Sequence, residues 1–277
     1  MMTGFDAFAE MERQGWSDPV ISEGYVTRFA EMTRQVVPVM AAQVPEGVAV
    51  LDLCCGQADI AAALQAKGCD VTGADFSEQM IEFARERVHG VNFVRADAQA
   101  LPFDGHCFDA VVCGFGLMHV PDQPAALAEV ARVLRPGGLF VMSCWEPPQR
   151  SDVFGTVFGA IMAQGDPSVM LPDSPDFYQF AEEDHARAAF AEAGLAHQER
   201  FVFEAVLRLE DPAALMDLFA TGAPRGGYLL RHQPDDAKAR IRAAIARGVQ
   251  EKGHQAADGL WEIKAPVAIN RGVRAGC

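Results

Sequence analysis

Three carboxylates and a glycine carry the first chemical signal. Asp52, Asp75 and Asp97 fall at or near the ends of successive short apolar runs, and Gly56 follows the first run in its turn. A lone Asp at such a place caps a helix or opens a turn. Here there are three in order, with the second 23 residues after the first. An acidic side chain ending a second strand can accept hydrogen bonds from both hydroxyls of a ribose, and a glycine lets the backbone approach a ligand closely. The same turn holds a cysteine pair in "LDLCCGQADIA", Leu51 to Ala61. Neighbouring residues on an extended strand point to opposite faces, so Cys54 and Cys55 are poorly placed to chelate one ion. The cysteines at 54, 55, 69, 107, 113, 144 and 277 show no C-x-x-C spacing and no nearby histidine pair. That pattern reads as reduced, mostly buried thiols without a metal. The turn also lacks G-x-G-x-x-G, since "CCGQADI" has one glycine, and Asp59 at the start of the next helix would repel a phosphate. A nucleoside without phosphates fits better than a dinucleotide.

These residues need a frame. Between Val48 and Val141 a short apolar run, a turn and a helical segment alternate. "VAVLDLCC", "CDVTGAD", "VNFVRAD", "FDAVVCGFG" and "GLFVMSCW" read as strands; "ADIAAALQAKG", "SEQMIEFARERV" and "PAALAEVARVLRPGG" read as helices, with Ser77 and Asp122 as N-caps. Such alternation predicts an α/β fold, a doubly wound parallel sheet with helices on both faces and ligands beyond the carboxyl ends of its strands. Residues 1–45 read as an N-terminal helical cap and 46–147 as the core. Residues 148–180, punctuated by Pro and Gly, form a lid insertion after the fifth strand. Residues 181–277 complete the sheet and add lid helices.

Composition narrows the partners. The 277 residues carry 23 Lys and Arg against 38 Asp and Glu, a net charge of −15, which would repel nucleic acid. No apolar run is long enough to span a membrane, and the acidic start "MMTGFDAFAEMERQGW" does not read as a signal peptide. The expectation is a soluble cytoplasmic protein; its oligomeric state is not legible.

Taken together, "VLDLCCGQADIA", "VTGADFSEQMIEFAR", "FVRADAQALPF", "FDAVVCGFGLMHVPD" and "EVARVLRPGGLFVMSCW" resemble the successive motifs of class I S-adenosylmethionine-dependent methyltransferases. The likeness is greatest to the branch of ubiquinone and menaquinone C-methyltransferases and small-molecule methyltransferases. It implies a Rossmann-like, seven-stranded sheet, S-adenosyl-L-methionine as methyl donor and S-adenosyl-L-homocysteine as product. By position it implies that Asp52 holds the methionine end, with Cys54 and Gly56 in the glycine-rich turn. Cys54 and Ala58 stand where glycine is usual, and Cys54 cannot adopt a glycine-only conformation cheaply. Asp75 would take the ribose hydroxyls, Phe76 and Met80 the adenine face, and Asp97 with Ala98 its polar edge. Cys113 and Gly114 would line the methyl donor. His119 is the candidate general base, against its reading as a packed or capping residue. Trp16, Tyr25, Trp145, Phe154 and Phe158 are the candidate lid or substrate contacts.

The implied reaction is methyl transfer to an O, N or C atom of a small organic acceptor. A quinone ring carbon is one alternative, although Met118 and His119 depart from that branch's usual Arg-Asn pair. An NAD-dependent oxidoreductase and a non-catalytic cofactor-binding member are the others.

Overall fold

A computed structural model describes residues 4–276; the reading of Cys277 as a reduced thiol lies outside that range. Helical pieces come first: α1 (Asp6–Ser17), α2 (Pro19–Gly24), a π-helical turn at Tyr25–Phe29, α3 (Ala30–Arg34) and α4 (Val37–Ala42). Asp18 starts α2 by accepting from the Val20 N–H, with Pro19 at the first helical position, where its missing N–H is not needed. The core then alternates β1 (Ala49–Leu53), α5 (Asp59–Ala66), β2 (Asp70–Asp75), α6 (Glu78–Arg87) and β3 (Asn92–Arg95). It continues with β4 (Phe108–Gly114), α7 (Gln123–Val133) and β5 (Leu134–Trp145). Beyond it lie α8 (Asp152–Gln164), α9 (Glu183–Glu192), β6 (Leu195–Leu209), α10 (Ala214–Gly222), α11 (Pro224–Arg231), α12 (Asp235–Lys252), β7 (His254–Gln255) and β8 (Trp261–Arg274).

The sheet runs β3-β2-β1-β4-β5-β8-β6, with the two-residue β7 paired to β8. The expected seven strands form the continuous path. The first five are parallel, and β8 lies antiparallel between β5 and β6. Central strands are apolar on both faces because helices cover both: Val50, Leu51, Val111, Val112, Phe140 and Val141 are all buried. Both predicted N-caps form, Ser77 accepting from the Met80 N–H and Asp122 from the Ala125 N–H. On α6 the expected apolar face is buried at Met80, Ile81 and Ala84, while Phe83 stays half-exposed.

Strand order reverses between β1 and β4, so the carboxyl ends of β1, β2 and β4 open on one crevice. Its roof is composite. Helix α1 packs on α11, and α10 packs on α2 and the π-helical turn. The insertion contributes α8, N-capped by Ser151 and packed on α12. The buried Glu146 at the end of β5 pairs with Arg150 and Arg200, tying the start of the insertion to β6. Among the described residues no helix is long and apolar enough to cross a membrane.

Candidate functional site

The turn after β1 has the backbone of a glycine-rich loop with fewer glycines. Cys54, Gly56 and Ala58 all have positive φ, at 56°, 52° and 69°. The left-handed region costs an L-residue roughly 1–2 kcal/mol, so Cys54 and Ala58 hold a strained geometry that the surrounding packing must impose. Gly56 faces open space, with nothing within 4 Å of where a Cβ would lie. Cys54 is wedged against the loop after β4: a Cβ on Gly116 would fall 2.2 Å from its Cβ, so only glycine is tolerated there. A hydrogen bond with Cys113, then burial, pushes the Cys54 thiol up and keeps it protonated. Burial does the same to Cys55. Both thiols are therefore held in the protonated form.

Asp75 closes this turn from β2. Its Oδ2 accepts from the Gly56 N–H and its Oδ1 from the Ser77 N–H, both at 2.9 Å. Each oxygen keeps a lone pair free for a further donor. Burial raises its pKa, while the two backbone donors favour the charged form. Asp75 borders a cavity of about 390 Å³ together with Cys54, Gly56, Phe76, Met80 and Gly114, and with Asp97 and Ala98. Asp97, exposed and bonded by the Gln99 backbone and side chain, forms part of its wall.

Two of the expected cofactor contacts do not line this cavity. Asp52 is buried behind the turn, where its Oδ2 accepts from the Ala61 N–H at 2.9 Å and so caps the first turn of α5. It borders an adjoining small cavity, which shares Cys54, Gly56 and Gly114 with the large one, and its Oδ1 has no partner. Burial drives its pKa up to about 8. Cys113 is fully buried and lines neither cavity, because β4 turns its side chain into the packing against Cys54. Asp59, read as repelling a phosphate, is paired with Arg34 at 3.1 Å and Arg87 at 3.0 Å, so its charge is compensated.

His119 ends a short 3-10 turn, Leu117–His119, after β4. Its Nδ1 lies 2.8 Å from Oε2 of Glu12, a residue of α1 that is only 2% exposed. A carboxylate oxygen only accepts, so in this contact Nδ1 is the donor and Nε2 is left as the ring's other nitrogen. The ring is held edge-on by Trp16 and Phe177, with centroids 5.4 and 5.3 Å away. Together with Trp16, Tyr25 and Phe115, His119 forms the wall between the large cavity and an aromatic one of about 50 Å³. Trp145, Phe154 and Phe158 line that second cavity, with Phe177, Phe219 and Arg225. Phe115 has φ 56°, rare for a bulky residue; its N–H is fixed by Ser143 O at 3.1 Å and its ring tilts onto Trp145 at 4.4 Å. Burial lifts the Tyr25 hydroxyl to about 12, so it is neutral near pH 7 and bonds Thr33 at 3.4 Å.

Sequence reasoning missed Glu12, Phe115 and Arg225. Glu12 did leave a signal: it lies in the buried stripe of α1 with Phe8, Met11 and Gly15, an acid where the period demands an apolar residue. Arg225 and Phe115 left none.

Residues 51–142 match a family described as methyltransferase domain. A demethylmenaquinone methyltransferase of Staphylococcus haemolyticus (strain JCSC1435) is 38% identical over 166 residues, covering 53% of this chain and 68% of that protein. A demethylmenaquinone methyltransferase of Clavibacter sepedonicus is 45% identical over 119 residues, covering 42% of this chain and 46% of that protein. Among solved structures, an S-adenosylmethionine-dependent methyltransferase of Methanosarcina mazei superposes with a TM-score of 0.51 at 17% identity. It covers 87% of this chain and 98% of that one, a likeness of fold.

Proposed function

The chain belongs to the family of class I S-adenosylmethionine-dependent methyltransferases, and on that premise we propose that it methylates a small aromatic acceptor with His119 as general base. With the family given, the nicotinamide-dependent alternative falls away. The carrying observation is the placement of the Glu12–His119 pair on the wall shared by the large cavity and the aromatic one.

The residues around the large cavity fit the cofactor. Asp75 keeps lone pairs for two ribose hydroxyls, Phe76 and Met80 offer an apolar face for the adenine, and Asp97 with Ala98 borders its polar edge. The unpartnered Asp52 Oδ1 supplies what a methionine ammonium needs, directly or through a water. Gly56 leaves the turn open for backbone contact. When bound, S-adenosylmethionine supplies an electrophilic methyl group on a sulfonium, whose departure as a neutral thioether needs no acid.

The protein's part is therefore alignment, water exclusion and removal of one proton. Trp16, Tyr25 and Phe115 form an apolar partition that positions a flat acceptor and keeps water out. Glu12 holds His119 in the tautomer that presents Nε2, which takes the proton an acceptor hydroxyl or ring carbon must lose. Tyr25, with its hydroxyl neutral near pH 7, serves as a donor rather than a base.

The curated relatives carry demethylmenaquinone in their names, which supports a quinol ring as a second reading of the acceptor. One experiment covers both. S-adenosylhomocysteine affinity is measured by calorimetry, then its release is followed with S-adenosylmethionine and a panel of phenols, hydroxyarenes and demethylmenaquinol. Turnover of an acceptor that falls in His119→Ala at unchanged cofactor affinity supports the assignment. Tight binding without turnover on any acceptor would favour a non-catalytic cofactor-binding protein.

A further inference from the structure

Arg225, at the start of α11, is a guanidinium among aromatic rings. It lines the small aromatic cavity beside Trp16, His119, Trp145 and Phe177. Its Cζ stacks 4.5 Å over the ring of Phe177 and stands 5.8 Å from that of Phe8. One hydrogen bond is formed, from Nη1 to the Ser174 hydroxyl at 3.3 Å. Among the described residues no carboxylate lies within 4.0 Å of it, although the chain has an excess of acids. The neighbouring Arg231 on α11 is paired with Asp18, and the inner-lying Arg200 with Glu146. Glu12, Tyr178 and Asp176 face Arg225 only at longer range, and Glu12 is already engaged by His119.

A guanidinium has five N–H donors in a planar fork that matches a carboxylate. Stacking on Phe177 satisfies its face and leaves the edge donors short of acceptors. The side chain is partly buried with no carboxylate in contact, and the aromatic cavity that it lines is where an anion could meet its free donors.

Resting on the methyltransferase reading above, we propose that Arg225 is the anion receptor of the acceptor cavity, so that the acceptor is a small aromatic molecule bearing a carboxylate or a similarly anionic oxygen. Phe177 relates the two working groups: Arg225 stacks on its face while His119 meets it edge-on. The anionic substituent would lie toward Arg225 and the atom to be methylated toward His119. A neutral quinol would leave Arg225 as it stands.

The test uses benzoate and its neutral isostere benzamide, titrated calorimetrically into the full chain saturated with S-adenosylhomocysteine. Wild type binds the acid at least tenfold more tightly than the amide. Arg225→Met removes that preference without changing S-adenosylhomocysteine affinity or the melting temperature with it bound, and Arg225→Lys keeps part of it. Equal affinity for the two probes in wild type, or no binding of the acid, overturns the inference, as does an undiminished preference in Arg225→Met. Failure of the underlying reading shows separately, as absent S-adenosylhomocysteine binding. If Arg225→Met does not fold, loss of part of the preference in Arg225→Lys decides in favour and its full retention against.

Discussion

Replacing Asp52 by Asn should stabilise the ligand-free protein at neutral pH and flatten its pH dependence. In the folded chain burial raises the Asp52 pKa from 3.8 to about 8. The sign follows from proton counts: between these values the folded state keeps a proton that the unfolded chain has released, so stability falls as pH rises. Each pH unit costs about 1.4 kcal/mol. From pH 5 to pH 7 this single carboxyl therefore removes about 3 kcal/mol, a large part of a domain's typical net stability of roughly 5–15 kcal/mol. Asparagine keeps an oxygen for the Ala61 N–H and cannot ionise, so its slope over that interval should be shallower by that amount. Urea denaturation of both proteins at pH 5, 6 and 7, followed by circular dichroism without cofactor, measures the difference. Asp75, also raised, is present in both chains and cancels to first order. An equal fall in stability with pH in the two proteins would refute the placement of a protonated acid behind the turn. The same substitution should weaken S-adenosylmethionine binding, because the carboxylate that would face the ammonium is gone.

Four further outcomes follow from the site. Asp75→Ala should weaken S-adenosylhomocysteine binding by about 1.5–3 kcal/mol, the worth of a hydrogen bond to a charged group; unchanged calorimetric affinity would remove the ribose assignment. In Glu12→Gln, kcat should fall by roughly 10–100-fold with KM for S-adenosylmethionine unmoved, since proton transfer is worth about 10²–10⁴-fold and the base itself is retained; an unaltered kcat would make the pair structural. Ala58→Gly should change stability in urea by less than about 1 kcal/mol, because relief of the left-handed backbone is offset by the entropy of glycine and by loss of a fully buried methyl; a loss of about 2 kcal/mol or more would show that φ 69° carries little strain. Gly116→Ala should destabilise by about 2 kcal/mol or more through overpacking on Cys54. Adding Cys54→Gly should recover part of that loss, and purely additive effects in the double variant would contradict the contact.

The α/β core was legible because its signals are local. Apolar runs of strand length alternate with helical periods, and Ser77 and Asp122 cap the helices as their positions predict. Asp75, Gly56, Phe76, Met80, Asp97, Ala98 and Gly114 come together on one cavity because strand ends in a doubly wound sheet must converge there. Side-chain direction was less legible. Asp52 lies on β1 one residue before its end, and alternation along the strand turns it behind the turn toward α5 rather than into the large cavity. Cys113 is turned inward by the same alternation. The strain at Cys54 and Ala58 was visible only as missing glycines; the structure shows the glycine-like backbone retained. Arg225 stood 106 residues from His119 in a helical tail with no motif. Only tertiary packing of α11 on α1 brings it to the cavity.

The Glu12–His119 contact joins residues 107 positions apart, one on the roof and one on the sheet. Glu12 and Trp16 both belong to α1, so the acid that contacts His119 and the ring that walls the cavity are carried by one helix. Whatever positions α1 therefore positions the imidazole's partner and the cavity wall together.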